Sequence, residues 1–244
     1  MQLDALALRM RPRAPLEAAD LGARLCQDAA RSVYACYAVV YAPIAALAIA
    51  SFAIAAWLPT LLLFLAKPWL DRTILFVLSR AAFGQSTTLR QLWEARRQVW
   101  WSQLLLTWTW RRLSPWRSFT QPVYQLEGLS LRSIRSRVKQ IRRRKGGAAL
   151  LMTAAFATAE TCLGITLVSL LVWFAPAETA PNLSMLLFDP SSVLFEAAFA
   201  IAYAIVIAFL EPFYVAAGFA MYLNRRAELE AWDVEQELRR AFAA

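Results

Sequence analysis

From Ser32 to Ala66 the chain runs through 35 residues without one charged side chain. A backbone in hydrocarbon has no water to satisfy its N–H and C=O groups, so such a run is read as helix. At about 1.5 Å per residue it would measure roughly 52 Å, against a hydrocarbon core of about 30 Å that about 20 residues cross. That is too long for one crossing and short for two. Pro43 and Pro59 can bend it. The reading is two crossings, the second starting near Ala53 and continuing past Lys67-Pro68 into an amphipathic stretch that ends near Ser79. A re-entrant hairpin over 32–79 is the alternative. Two more apolar runs follow: Gly147 to Ala175, interrupted only by Glu160, and Val193 to Leu223, broken at Glu211-Pro212. The eleven residues after Pro212 cannot span alone, so one long kinked helix is expected there.

Composition points the same way. Hydrophobic residues make up 59% of the chain and the mean hydropathy is +0.44, above what a soluble domain carries. With 7 glycines and 11 prolines among 244 residues, collagen-like, low-complexity and loop-rich β architectures are excluded. The expected fold is therefore all-α: an integral membrane helical bundle of about four transmembrane helices, with interfacial amphipathic helices on the cytoplasmic side.

Charge fixes the orientation. Residues 67–147 hold 17 Lys and Arg against three acids, Asp71, Glu94 and Glu127. The loop 176–192 has neither Lys nor Arg, only Glu178 and Asp189. Because basic residues stay on the cytoplasmic side, the first segment reads as inside and the second as outside. Arg9, Arg11, Arg13, Arg24 and Arg31 at one end, and Arg225, Arg226, Arg239 and Arg240 at the other, put both termini inside. Residues 1–31 lack a continuous apolar core, so no cleavable signal peptide is expected. The organisation that follows is a cytoplasmic N-terminal amphipathic segment (1–31) and a first transmembrane hairpin (32–79). Trp-rich and basic interfacial helices (80–146), a second transmembrane pair (147–223, outer loop 176–192) and a charged cytoplasmic helix (224–244) complete it. The location implied is a bacterial inner membrane.

Catalysis has little to work with. Histidine is absent, which removes the commonest general base and metal ligand. Cys26, Cys36 and Cys162 show no CxxC spacing and read as packing residues. No nucleophile elbow, phosphate loop or HExxH occurs. The expectation is a non-enzymatic protein with no catalytic residue, no metal and no cofactor.

Segment 80–146 contains six of the ten tryptophans, Trp93, Trp100, Trp101, Trp108, Trp110 and Trp116. Tryptophan settles at headgroup level, its ring apolar and its N–H wet. Leu131, Ile134, Val138 and Ile141 then fall on one helical face. Between and just after them stand Arg132, Arg135, Arg137, Lys139, Arg142, Arg143, Arg144 and Lys145, as expected for a helix on an anionic leaflet. Trp100, Trp101, Trp108, Arg132, Arg135, Lys139, Arg142 and Arg143 are thus the candidate membrane-surface residues, and the bilayer's anionic headgroups the first partner. The same basic run is a poor nucleic-acid site, because its apolar face is regular and it directly precedes a span. No nucleic-acid partner is expected.

Glu160 lies near the middle of its apolar run and Glu211 inside the last one. Ionised carboxylates there are costly, so they face the bundle, pair with a cation or stay protonated. Lys67, Asp71 and Arg72 stand just beyond the second apolar stretch and are the candidate partners. The cluster reads either as a site for an ion, proton or headgroup, or as structural pairing that fixes helix register. Arg226 with Glu230 and Glu235 with Arg239 are i, i+4 pairs on a charged helix. Arg225, Arg226, Trp232 and Asp233 are its candidate docking residues; the plainer reading is a solvated helix folded against the collar.

Three stretches carry a family likeness. They are Lys67-Pro68-Trp69-Leu70-Asp71-Arg72 with Leu78-Ser79-Arg80-Ala81-Ala82-Phe83-Gly84; Arg112-Leu113-Ser114-Pro115-Trp116-Arg117-Ser118-Phe119 with Leu126-Glu127-Gly128-Leu129; and Glu211-Pro212-Phe213-Tyr214-Val215-Ala216 with Tyr222-Leu223-Asn224-Arg225-Arg226, Leu229-Glu230 and Trp232-Asp233. Over about residues 15–240 the pattern resembles a family of uncharacterised proteobacterial multi-pass inner-membrane proteins. More distantly, its ending is similar to the membrane domain that accompanies some glycerophosphodiesterases, without the phosphodiesterase barrel. The resemblance implies company with MoxR-type AAA+ ATPases and envelope proteins, hence an accessory or scaffold subunit of an envelope complex. It implies no catalytic residue. A small oligomeric transporter or lipid-handling protein using the intramembrane carboxylates is the alternative.

Overall fold

A computed structural model describes residues 13–101, 114–176, 178, 182, 183, 185, 189 and 192–230. Among these residues the secondary structure is helical, with no strand. The order is α1 (Pro15–Asp28), α2 (Ala30–Ala50) with a 3-10 turn over Ser51–Ala53, α3 (Leu58–Ala81), α4 (Leu89–Glu94), a π turn over Arg97–Trp101, α5 (Arg117–Leu126), α6 (Leu131–Arg142), α7 (Gly146–Trp173) and α8 (Val193–Glu230).

Local sequence explains the boundaries. Pro15 opens α1, where its missing N–H costs nothing. α3 ends at Ala81; just beyond it Gly84, with a φ of +70°, lets the chain turn back, and its N–H donates to the Ala81 carbonyl. Thr88 and Gln91 form a reciprocal capping box that starts α4. α8 passes through Pro212 as one 38-residue helix, the single helix expected for the last apolar run.

Among the described residues three helices are long and apolar enough to cross a membrane: Ala30–Ala53, Gly146–Trp173 and Val193–Glu230. α3, on which the second expected crossing falls, is not among them, because Lys67, Asp71, Arg72 and Arg80 interrupt its apolar sequence.

The chain divides into two compact units. One comprises residues 1–37, 68–153 and 212–244, the other residues 38–67 and 154–211. Two of the passages between them fall at Lys67-Pro68 and Glu211-Pro212.

The first unit has a closely packed centre. Leu70, Ile74, Leu75 and Leu78 of α3 are fully buried, together with Asp71 and Thr73. The stretch expected to be amphipathic and to end near Ser79 is therefore a core helix, enclosed on several sides. α1 approaches the C-terminal half of α8 at Gly22, where a Cβ would overlap the Ala216 carbonyl. α5 meets α8 at Gly218, where a Cβ would overlap Ser118. Neither crossing leaves room for a side chain at its glycine, the close approach that small residues permit.

The second unit is the reverse of a soluble core. Leu47, Ile54, Trp57, Leu171 and Trp173 are all more than half exposed. Exposure of large apolar side chains on this scale suits a surface solvated by lipid.

Candidate functional site

Within the second unit, α3, α7 and α8 bring three charged side chains together. Lys67 Nζ lies 2.7 Å from Glu160 Oε2 and 3.0 Å from Glu211 Oε2. Lys67 is 6% exposed and Glu211 2%, so the contact is made away from water. Lys67 also sits over the Tyr203 ring, 5.6 Å from its centroid. Burying an ion costs several kcal/mol, an expense that excellent geometry and further hydrogen bonds can offset. Here one ammonium serves two carboxylates, so the fully ionised cluster carries one excess negative charge. That residual charge can be met by a proton or by another cation.

Around the cluster the helices are fastened by polar contacts. Tyr41 on α2 donates to the Ala204 carbonyl on α8 at 2.6 Å. Phe195, Phe199 and Tyr203 recur at i, i+4 on α8 and stack with centroids 5.9 Å and 6.3 Å apart. They form one wall of an open cavity of about 500 Å³ whose other side includes Trp57, Leu61 and Phe64. Glu196 stands in the same wall. Tyr203 is thus shared between the cavity and the Lys67 cluster.

Of the five residues expected at a polar site, Lys67, Glu160 and Glu211 are in contact. Asp71 and Arg72 belong to the first unit and are used there. Arg117 Nε lies 2.9 Å from Asp71 Oδ2. Arg72 donates to the carbonyls of Val99 and Gln98, while Gln125 Nε2 donates to the Arg72 carbonyl at 2.8 Å. Arg72 thereby ties α3 to the π turn, a structural task.

The candidate surface residues divide sharply. Trp100 is turned inward: its indole N–H donates to Thr73 Oγ1 at 3.0 Å and its ring packs 5.6 Å from that of Trp69. Trp101 is 70% exposed. Trp108 lies outside the described residues, as does the side chain of Arg132. On α6, Ile134 and Ile141 are buried in protein and Val138 is half-buried, so this part of the apolar face expected to meet lipid is covered; the side chain of Leu131 lies outside the described residues. Arg135, Lys139 and Arg143 remain exposed. Arg142 instead stacks on Trp116, 3.4 Å from its ring centroid.

At the C-terminal end, Arg225 pairs with Glu228 at 2.8 Å and Arg226 with Glu230 at 2.7 Å. Trp232 and Asp233 lie outside the described residues. Sequence reasoning missed the rest of this network. Arg137 joins Glu127, at 2.9 Å, to Glu230. Lys145 reaches Glu228 at 2.7 Å, and Tyr222 donates to Glu127 at 2.6 Å. Burial lowers the affinity of Arg137 for its proton, but the bonds to Glu230 and Glu127 outweigh it and hold the guanidinium more firmly charged than usual. The missed signal was that Glu127 is one of few acids amid many cations, which makes it the obvious partner for one of them. Burial also pushes the Cys26 thiol up to about 11.

Among the described residues no group of three or more His, Cys, Asp or Glu is placed to hold a metal ion. Comparison with family models, curated proteins and solved structures finds no match to the chain.

Proposed function

We propose that the protein is a non-enzymatic, multi-pass integral protein of a bacterial inner membrane that serves as an accessory or scaffold subunit of an envelope complex. Its topology is four crossings with both termini cytoplasmic. α3 is the crossing that hydropathy alone passes over. Its 24 residues extend about 36 Å, enough for a core of about 30 Å, and Lys67 is paired with two carboxylates. Trp57 and Trp173 are exposed where α3 begins and α7 ends, the level at which tryptophans anchor an outer interface. The 17 basic residues in 67–147 then face the cytoplasm, with Trp101, Arg135, Lys139 and Arg143 toward the anionic leaflet.

The observation that carries the scaffold reading is the ion-paired platform at the end of α8. Glu127, Arg137, Glu230, Lys145 and Glu228 join three segments distant in sequence. Such a network fixes the point from which residues 231–244 leave, as a docking handle for a cytoplasmic partner requires. The family resemblance points to an AAA+ ATPase system as that partner. Truncation after Glu230 is the test: the shortened protein inserts and folds but no longer co-purifies the partner from native membranes in gentle detergent. An unchanged set of co-purified proteins would overturn the docking role.

A second reading is favoured by one feature, the excess carboxylate beside Lys67 with a cavity adjoining Tyr203. On this reading the protein is a small oligomeric transporter or lipid-handling protein. Flux in liposomes that is unaltered by Glu160→Gln and Glu211→Gln would eliminate it.

A further inference from the structure

The first unit contains a second polar feature, distinct from the Lys67 cluster. A cavity of about 150 Å³ opens between α3, α5 and α6, and three guanidinium groups line it: Arg72, Arg117 and Arg142. None of the described lining residues is acidic. Asp71 is paired with Arg117, while Arg142 is held on the ring of Trp116.

Three polar atoms of lining residues are buried without a partner among the described residues: one acceptor, Gln125 Oε1, and two donors that point to an anion. Gln121 is 9% exposed and its Nε2 donor is buried without a hydrogen-bond partner among the described residues. Arg142 Nε is in the same condition, although its guanidinium is held flat against Trp116. Buried donors are almost always satisfied in folded proteins, so each such group calls for an explanation. Ser114 and Thr120 add hydroxyls to the wall. Planar guanidiniums with neutral donors between them match the oxygens of a tetrahedral phosphoryl group, which they can bind bidentately. The space suits one such group: a water needs about 10–15 Å³ of this volume, so the cavity holds on the order of ten waters, too little for a polymer.

We propose that this pocket binds a single phosphoryl group, supplied either by the headgroup of an anionic phospholipid or by free phosphate. The lipid source rests on the membrane reading above, in which the pocket stands at the level of the cytoplasmic leaflet; free phosphate does not depend on it. Arg142 and Gln121 donate to the phosphoryl oxygens. Arg117, fixed by Asp71, and Arg72, fixed by the π turn, supply a preset positive field.

The test is thermal unfolding of the full-length protein, stripped of lipid in a neutral detergent. It is titrated with inorganic phosphate against chloride of equal ionic strength, and with short-chain phosphatidylglycerol against diacylglycerol of the same chain length. A saturable upward shift with phosphate identifies the free anion. A shift with phosphatidylglycerol alone identifies the headgroup. In either case Arg142→Gln and Gln121→Leu weaken the response by about tenfold or more, the loss expected for a charge-assisted hydrogen bond. If Arg142→Gln does not purify folded, Arg142→Lys and Gln121→Leu make the comparison. No shift beyond the controls, or an equal response in the variants, overturns the pocket. Alkaline carbonate extraction of native membranes reports the membrane reading separately.

Discussion

Replacing Lys67 by methionine keeps most of the side-chain volume and removes the one ammonium that Glu160 and Glu211 share. Their bonded oxygens lie 2.7 Å and 3.0 Å from Lys67 Nζ, so they are no more than about 5.7 Å apart. At an effective dielectric of about 20, two unit charges at that distance repel by about 3 kcal/mol. Stripping one partner from a buried ion pair independently costs about 3–5 kcal/mol, because the remaining charge is left uncompensated. Lys67→Met should therefore destabilise by at least about 3 kcal/mol. Glu160→Gln acts in the opposite sense on charge: it leaves Lys67 and Glu211 as a balanced pair and removes the more exposed carboxylate, so its cost should stay near 1 kcal/mol, about that of one hydrogen bond. Neutralising all three positions together should restore much of the loss, since a buried ionic cluster can be replaced by neutral groups at little cost. The assay is loss of helical circular dichroism in mixed micelles as the SDS fraction rises, with the variants compared at one pH. If Lys67→Met unfolds no earlier than Glu160→Gln, the shared-lysine account is wrong.

Other expectations come from the same geometry. The Cys26 thiol, ordinarily near 9.0 and here pushed up to about 11, carries about a hundredfold less thiolate at pH 8 than a free cysteine. Maleimide labelling followed by mass spectrometry should find Cys26 slow in the folded protein and fast once it is denatured; equal rates would refute its burial. Gly218→Val forces a side chain into Ser118 and should destabilise by about 1–3 kcal/mol, the usual range for overpacking, measured by thermal unfolding in detergent. Truncation after Leu223 removes Glu228 and Glu230 from Lys145 and Arg137 and should lower the melting temperature clearly, whereas truncation after Glu230 should leave it near that of the full chain. Equal melting temperatures would show that the ion-pair platform contributes nothing.

The helical class and the placement of the apolar helices were readable in the sequence, because uninterrupted apolar runs leave the backbone no partner except itself. Glu160 and Glu211 announced themselves for a similar reason: a carboxylate inside such a run is too costly to be incidental. What the run lengths could not show was how polar residues pair across the chain. Lys67, Asp71 and Arg72 are neighbours on one helix, yet Lys67 meets Glu160 and Glu211 while Asp71 meets Arg117. Successive helical residues point about 100° apart, and only packing decides which element each direction meets. The basic helix makes the same point. Ile134, Val138 and Ile141 give an apolar stripe whether the surface opposite is lipid or protein, and the periodicity is identical in both cases. Tertiary structure buried Ile134 and Ile141 of that stripe in protein and left Arg135, Lys139 and Arg143 outside. It also drew Arg142 against Trp116 beside the three-arginine pocket, a site assembled from residues 68 to 142 that no local pattern could reveal. The apolar helices of this protein were written in its sequence; the pairing of its charges was set by the fold.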